Sequence, residues 1–214
     1  MKQAVIEGFS WKVNFYTKEE IDSIEDEETK ETTKVFYELS HEICRTLSIE
    51  EEPHLAFLNE LTSIDPATFA MTRLQGMRIT PDKTNLDKDI ILLVYHEATY
   101  NKLAGTLAHE LRHMWQNENN EKIQRTKAIG IDALYDEAEI DADAFAIYYM
   151  ASRYFDFNYR ECADIICSFE KKTDKKAYEI RLKRAKLFGG TFYDNYENAV
   201  AKQQKKKRLT KDTS

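Results

Sequence analysis

The sequence predicts an α+β fold, mainly helical, with a small antiparallel sheet next to one central helix. Apolar residues recur at three- and four-residue spacing over several long segments, which is the pattern of helices that bury one face. Between residues 54 and 95 the pattern changes to short apolar runs bounded by turn residues, as in strands. The 214 residues, 42% of them hydrophobic, suffice for one sizeable core, so we expect a folded protein.

The N-terminal part is predicted to hold a short extended segment followed by an amphipathic helix. Residues 1–14 alternate weakly in hydropathy, which fits either a strand or an extended arm. Residues 28–47 carry apolar side chains at helical spacing. The acidic residues of 18–32 are expected on a solvated helix face or loop. On the helix, His41 is expected to be an ordinary surface or core histidine.

Strands are predicted at residues 54–61, 76–80 and 89–95. A proline-led turn separates the last two, which should form a hairpin directly before the central helix. That helix is predicted over residues 100–117, where leucines recur every four residues. Gly105 interrupts it at a cost of about 1 kcal/mol relative to Ala. Close approach by another backbone or by a substrate would explain this glycine, and a tolerated accident is the alternative.

Further helices are predicted after the central one. Residues 135–150 are rich in Ala and acidic residues and contain no Gly or Pro, and Asp132 is the expected N-cap of this region. Residues 159–169 and 177–188 show the same helical periodicity.

The central helix carries the pentapeptide His-Glu-Leu-Arg-His, from His109 to His113. Two histidines four residues apart project from the same face of a helix and can hold one Zn²⁺ between them. Glu110, next to the first histidine, supplies a base for a water activated by that metal. The other His-Glu pairs, at His41 and His96, have no histidine four residues further on. We therefore expect His96 to be an ordinary polar residue.

A zinc site needs a third protein ligand. The metzincin solution is excluded because Gln116 and Asn119 stand where that class has Gly and His. The other common solution is a carboxylate from a second helix, and residues 135–150 offer several. At about 100° per residue, Glu139 shares a face with Asp143 and with two alanines, whose small side chains permit close approach to the first helix.

The remaining carboxylates of this helix have different expected roles. Asp143 is suited to accept a hydrogen bond from the second ring nitrogen of a metal-binding histidine. Asp136 also falls on the Glu139 side, whereas Glu137 and Asp141 fall on the opposite side and are expected to face solvent. An ordinary solvated acidic helix face is the alternative for the whole set.

Taken together, the two motifs resemble those of the ImmA/IrrE-type gluzincin metallopeptidases. In that family a Glu-x-x-Ala-Asn/Asp-x-Phe-Ala helix follows the His-Glu-x-x-His helix, and residues 139–146 read Glu-Ile-Asp-Ala-Asp-Ala-Phe-Ala. The similarity covers about residues 70–150, and it departs from the pattern at Arg112, where many members have Gly. The resemblance implies a zincin-like fold and five functional residues, namely the zinc ligands His109, His113 and Glu139, the catalytic acid/base Glu110 and the supporting residue Asp143.

By this resemblance the chain is a zinc-dependent peptidase that cleaves a specific regulatory protein, such as a transcriptional repressor in a phage or mobile element. In zincins an edge strand pairs with the substrate backbone, so the hairpin at 76–95 is the expected peptide-binding lip. Tyr135, one turn before Glu139, is the tyrosine we expect to polarise the scissile carbonyl.

The chain divides by composition and motif into three segments. These are an N-terminal strand or arm with an amphipathic helix (1–52), a zincin-like metallopeptidase core with C-terminal helices (53–190) and a polar, basic tail (191–214). Although the net charge is −7, basic residues concentrate in 202–211. This run fits contact with nucleic acid or an acidic partner, and it equally fits a frayed, soluble end.

Two other functions stay open at this point. If the zinc site is structural or vestigial, the protein is a non-catalytic binding module that contacts nucleic acid or a protein partner. The same zinc apparatus would also serve to hydrolyse a non-peptide amide. A structural zinc site is closed by four protein ligands and a catalytic site keeps one open position, so the number of ligands discriminates between the first two functions.

Cysteine usage and hydropathy indicate the compartment. Cys44, Cys162 and Cys167 have neither zinc-knuckle spacing nor the even count of a disulfide framework, so we expect buried thiols in a reducing environment. Glu7 interrupts the N-terminal apolar run, and no stretch approaches 18 apolar residues. We therefore expect neither a signal peptide nor a membrane span, and a cytoplasmic protein.

Overall fold

The computed structural model describes residues 2–5, 12–58, 76–94, 99–119 and 134–188, and these form the predicted α+β fold, in which helices predominate. The strands are β1 (Lys2–Val5), β2 (Lys12–Phe15), β3 (His54–Leu58), β4 (Gly76–Ile79) and β5 (Ile90–Val94). The helices are α1 (Glu27–Leu47), α2 (Tyr100–Asn119), α3 (Glu137–Tyr154), α4 (Tyr159–Ile166), α5 (Ser168–Thr173) and α6 (175–188).

The three-stranded sheet has the order β3-β5-β4. β4 and β5 pair antiparallel, which confirms the predicted hairpin, but β3 pairs parallel to β5, so the sheet is mixed where the sequence predicted an antiparallel one. The connection from β3 to β5 is long enough to return the chain to the same end of the sheet, as parallel pairing requires. Every residue of β5 is buried, in keeping with its central place and continuous apolar sequence.

Each face of the sheet is covered. Leu55, Ile91 and Leu93 point into the main hydrophobic core, which they share with α1, α2 and α3. On the opposite face, alternate strand residues pack with Ala4 and Phe15 of β1 and β2. These two N-terminal strands pair antiparallel, so the described residues of this segment form strands rather than an extended arm.

Helix α1 begins at a side-chain cap, Asp26. The Asp26 carboxylate accepts a hydrogen bond from the Thr29 N–H at 2.8 Å, and the helix ends at Leu47, just before Ser48, a left-handed residue with φ of 57°. The acidic stretch before it contributes a 3-10 helix, Lys18–Ser23, whose Ile21 reaches the main core. His41 is exposed on α1 and pairs with Glu52, as expected of a surface histidine.

The C-terminal helices differ from the prediction in one place. The helix expected over 159–169 ends at Ile166, and α5 follows after Cys167. Lys102 of α2 explains the break, because its Nζ donates to the carbonyl oxygens of Ile165 and Ile166 at 2.7 and 3.0 Å. A lysine that satisfies these terminal carbonyls stabilises the end of the helix.

Cys44, Cys162 and Cys167 are buried free thiols, as predicted. Burial raises the pKa of Cys44 and of Cys162 to about 12. These thiols are therefore packing residues at neutral pH. Among the residues described, no helix is both long and apolar enough to cross a membrane.

Gly105 lies beneath α4. A Cβ built at this position would lie 2.9 Å from Cγ1 of Ile166, so a close approach does explain the glycine. The neighbour is an apolar side chain, however, and neither the backbone nor the substrate that the sequence suggested.

Gly76 places β4 directly against α2. A Cβ at this position would lie 2.4 Å from Cγ2 of Thr106 and 3.2 Å from the carbonyl oxygen of Leu92. Thr106 cannot rotate away freely, because its hydroxyl donates to the carbonyl of Lys102 at 2.9 Å. The absence of a side chain at Gly76 therefore sets the distance between the outer strand and the helix that carries the histidines.

We expect Gly76→Ala to lower the free energy of unfolding by about 1–3 kcal/mol, the usual cost of overpacking. Thr106→Ser removes the methyl group that collides and keeps the hydroxyl, so the double variant should regain most of this loss. Urea unfolding of the two single variants and the double variant measures the effect. Equal stability of Gly76→Ala and the wild type would contradict this account of the strand.

Candidate metal centre

Helices α2 and α3 bring together the three residues that the sequence predicts as metal ligands. Nε2 of His109 lies 3.0 Å from Nε2 of His113. Each of these nitrogens lies 3.4 Å from a carboxylate oxygen of Glu139. The three groups can hold a metal ion, since one ligand atom from each lies within 4.8 Å of the others. Small residues of α3 allow this approach, because Ala142 and Ala146 are completely buried.

The second ring nitrogen of His109 is held by a carboxylate. Nδ1 lies 2.8 Å from Oδ1 of Asp143, the residue predicted for this contact. The other oxygen of Asp143 accepts a hydrogen bond from Nε of Arg181 at 2.6 Å. Arg181 comes from α6, is 1% exposed, and also donates to the carbonyl of Leu134 at 2.7 Å. This arrangement holds the ring of His109 in one orientation.

The second ring nitrogen of His113 is held by an amide. Nδ1 lies 2.8 Å from Oε1 of Gln116, one turn further along α2. The amide nitrogen of Gln116 donates to the carbonyl of Ala138 at 3.0 Å and to Oδ2 of Asp141 at 2.9 Å. Both of these neighbours are acceptors, so they fix which end of the amide faces the histidine.

These contacts determine which atoms face the centre of the site. Because Asp143 and the Gln116 oxygen are acceptors, Nδ1 carries the proton in both His109 and His113. When the two imidazoles are neutral, as metal binding requires, their Nε2 atoms are lone-pair acceptors that face one another and the carboxylate of Glu139. Acceptors gathered in this way repel each other unless a cation lies between them. These three groups are therefore chemically suited to bind a metal ion.

The shifts in pKa have the same electrostatic origin. Burial alone lowers the pKa of His109, but Asp143 and Glu139 raise it well above its usual value. Burial alone raises the pKa of Asp143, and contact with His109 and Arg181 brings it below its usual value. For Glu139, burial is likewise opposed by the hydrogen bonds of the two histidines, which lower its pKa strongly. The site thus favours a positive charge, supplied by a proton or by a metal ion.

Glu110 lies at the contact between α2 and the sheet. It is 4% exposed, and its Oε2 accepts a hydrogen bond from the backbone N–H of Arg78 in β4 at 3.0 Å. Arg78 is itself anchored, since its guanidinium pairs with Asp89 at 2.7 Å. The residue predicted as the catalytic base is therefore tied to the outer strand of the described sheet.

Not every acidic residue of α3 lies where the helix register placed it. Glu137 is exposed and pairs with Arg184, as expected of a solvated position. The prediction for Asp141 was wrong, because its side chain is buried and pairs with Arg112 at 2.8 Å. Between Glu137 and Ser152 no residue of α3 is exposed, so the helix lacks a solvated side there. Asp136 is the N-cap and accepts from the Ala138 N–H at 2.8 Å.

Tyr135 has a different partner from the one expected. Its hydroxyl donates to Asp174 at 2.8 Å, and 44% of the residue is exposed. The structure thus gives this tyrosine a surface hydrogen bond and offers no support for a role at a scissile carbonyl. The predicted N-cap Asp132, the histidine at position 96 and the basic run 202–211 lie outside the described residues.

Sequence reasoning missed Arg181 and Gln116 as parts of the site. A signal for Arg181 was present, because it lies on the apolar stripe of α6 formed by Ala177, Tyr178, Leu182 and Ala185. A charge on such a stripe needs a buried partner. In the sequence, the identity of Gln116 excluded the metzincin class, but no local pattern indicates that this residue contacts His113.

Comparisons of the chain with protein-family models, with curated proteins and with solved structures found no match. The geometry of the site defines a partly buried His-His-Glu group that can hold a metal ion, and Glu110, the neighbour of His109 on α2, is hydrogen-bonded to β4.

Proposed function

We propose that this protein is a zinc-dependent metallopeptidase of the gluzincin type. The observation that carries the proposal is the convergence of three acceptors, Nε2 of His109, Nε2 of His113 and the carboxylate of Glu139. Nitrogen and carboxylate ligands of this kind suit Zn²⁺, which binds both at about 2.0–2.2 Å. A cation in this position would relieve the repulsion among the acceptors and join the two helices.

The number of ligands favours a catalytic site over a structural one. Among the described residues, the group that can hold a metal consists of three residues. Structural zinc sites are closed by four protein ligands, whereas catalytic sites combine three with one open position. This difference supports an enzyme over the alternative of a non-catalytic binding module.

Each residue of the site has a part in the proposed reaction. His109, His113 and Glu139 would hold Zn²⁺, and Asp143 would keep His109 correctly oriented. When bound, Zn²⁺ supplies Lewis acidity that polarises a carbonyl and brings the pKa of water to about 7. Glu110 takes the proton of the attacking water at its Oε1, because Oε2 is engaged by Arg78, and then delivers that proton to the leaving amine.

The neighbouring strand supports a peptide as the substrate. β4 is the outermost of the three strands of the described sheet on the side of Glu110. The N–H of Arg78 points away from β5, since it is directed at Glu110. An extended peptide that pairs with β4 at positions other than Arg78, whose N–H is engaged by Glu110, would bring its scissile bond to the helix that carries Glu110.

Metal analysis followed by a cleavage assay tests this function. Purified protein should contain one zinc ion per chain, and it should generate new N-termini when incubated with a proteome-derived peptide library read out by mass spectrometry. Chelation should abolish these termini and added zinc should restore them. A zinc-loaded chain that produces no new termini would contradict the peptidase proposal, and a chain that takes up no zinc would contradict the site.

A further inference from the structure

Arg112, Asp141 and Gln116 form a buried polar chain that leads to His113. The Arg112 guanidinium donates to the Asp141 carboxylate, Asp141 accepts from the Gln116 amide, and Gln116 accepts from the histidine. All four residues are at most 6% exposed. The function proposed above assigns no task to the first three members.

The outer end of this chain is rigidly held. The Arg112 guanidinium carbon lies 3.7 Å from the centre of the Trp115 ring, and Phe145 and Phe188 lie at 5.4 and 5.1 Å. Stacking of this kind suits the flat guanidinium group, and the Asp141 carboxylate compensates its charge. Removing the arginine, or the one carboxylate of this polar chain, would leave a buried charge uncompensated.

We propose that Gln116 is a positioning residue for His113, locked by Asp141 and Arg112 so that the imidazole presents the lone pair of its Nε2 to the metal. This inference rests on the metal site proposed above. The amide works in one orientation only, because its nitrogen must face the two acceptors Asp141 and Ala138. Its oxygen is thereby left for Nδ1 of His113, and the tautomer of the ring follows.

The two histidines are then supported in parallel ways. Support for His109 runs through Asp143 to Arg181, and support for His113 runs through Gln116 and Asp141 to Arg112. Each route ends at a buried arginine, which comes from α6 in the first case and from α2 itself in the second. Arg112 lies inside the pentapeptide, at the position where the ImmA/IrrE-type gluzincins often have Gly. Its function here is to support His113.

Zinc affinity measured by competition with a fluorescent chelator tests the role of Gln116. Gln116→Met keeps the length of the side chain and removes the hydrogen bonds, so zinc should bind about 10- to 100-fold more weakly, the usual effect of losing a supporting partner. Asn117→Met is the matched control, since Asn117 is the next residue of α2 and is exposed. Its zinc affinity should equal that of the wild type.

A charge-swap variant separates positioning from structure. In Gln116→Glu/Asp141→Asn the new carboxylate can accept from His113, and the new amide at position 141 can donate to that carboxylate and accept from Arg112. Like Gln116→Met, this variant leaves the carbonyl of Ala138 without its donor, so a difference between the two variants reports on the chain to His113. We expect the swap to recover most of the lost zinc affinity.

Three results would overturn the inference. They are a folded Gln116→Met variant with wild-type zinc affinity, a folded swap variant that binds no better than Gln116→Met, and an equal loss of affinity in Asn117→Met. If Gln116→Met fails to fold, the double variant Gln116→Glu/Asp141→Asn decides. Wild-type zinc affinity in this double variant supports the proposed role of Gln116, and a roughly 10- to 100-fold loss of affinity contradicts it. A wild-type chain that binds no zinc contradicts the proposed function itself, which distinguishes that failure from the loss of one supporting contact.

Discussion

Replacing Glu110 with glutamine should abolish peptide cleavage and leave zinc bound at the wild-type stoichiometry. The variant removes the base that takes the proton of the attacking water, and loss of a positioned general base costs about 10²- to 10⁴-fold in rate. Glutamine is nearly the same size, and its side-chain oxygen can still accept from the N–H of Arg78. The packing between α2 and β4 should therefore survive.

The measurement is kcat/KM on a peptide that the wild type cleaves, beside zinc content in the same preparation. His113→Ala provides the contrast, because it removes one of the three acceptors and should lose both zinc and cleavage. Cleavage by Glu110→Gln at nearly the wild-type rate would disprove the mechanism. Loss of zinc from Glu110→Gln would instead show that the carboxylate helps to hold the metal.

Replacing Glu139 with alanine should remove zinc from the protein. Glu139 contributes the only negative charge among the three acceptors, at 3.4 Å from each of the two histidine nitrogens. Without it, two neutral imidazoles remain, and the affinity should fall by more than the roughly 10- to 100-fold that loss of a supporting group costs. Elemental analysis after dialysis and a chelator competition measure this loss.

Glu137→Ala is the matched control on the same helix. Glu137 is exposed and pairs with Arg184 at the surface, so its removal should change the free energy of unfolding by less than about 1 kcal/mol. It should keep zinc at the wild-type level. If both variants lost zinc equally, the assignment of Glu139 as a ligand would be wrong, since the effect would then belong to the acidic helix as a whole.

Much of the fold was predictable because its elements obey local rules. The apolar run from Ile90 to Val94 predicted a buried strand, and the four-residue leucine spacing predicted α2. The predicted bounds of the two strands of the hairpin, β4 and β5, were also correct to within a few residues. The parallel pairing of β3 was not predictable, because strand direction depends on the path of a long connection rather than on the strands themselves.

The candidate site divides in the same way. Glu139 and Asp143 share a helix face in any straight helix, so the register grouped them, and the resemblance to the gluzincin motifs implied that this face meets the histidines. Asp141 was misplaced because the register gives an angle about one helix axis and does not tell how many neighbours surround that helix. Between Glu137 and Ser152 the neighbours of α3 leave no open side, and Arg112 supplies the partner that a buried carboxylate requires.

By itself, the sequence determined that His109 and His113 share one face of a helix and that Glu139 and Asp143 share one face of another. The spacing of four residues and the periodicity of an α-helix suffice for that, because both are properties of a short segment. Only the tertiary structure decided which groups orient the ligands. Arg181 approaches from α6 and Asp141 approaches Gln116 from α3, and contacts between helices far apart in the chain depend on how the whole core packs.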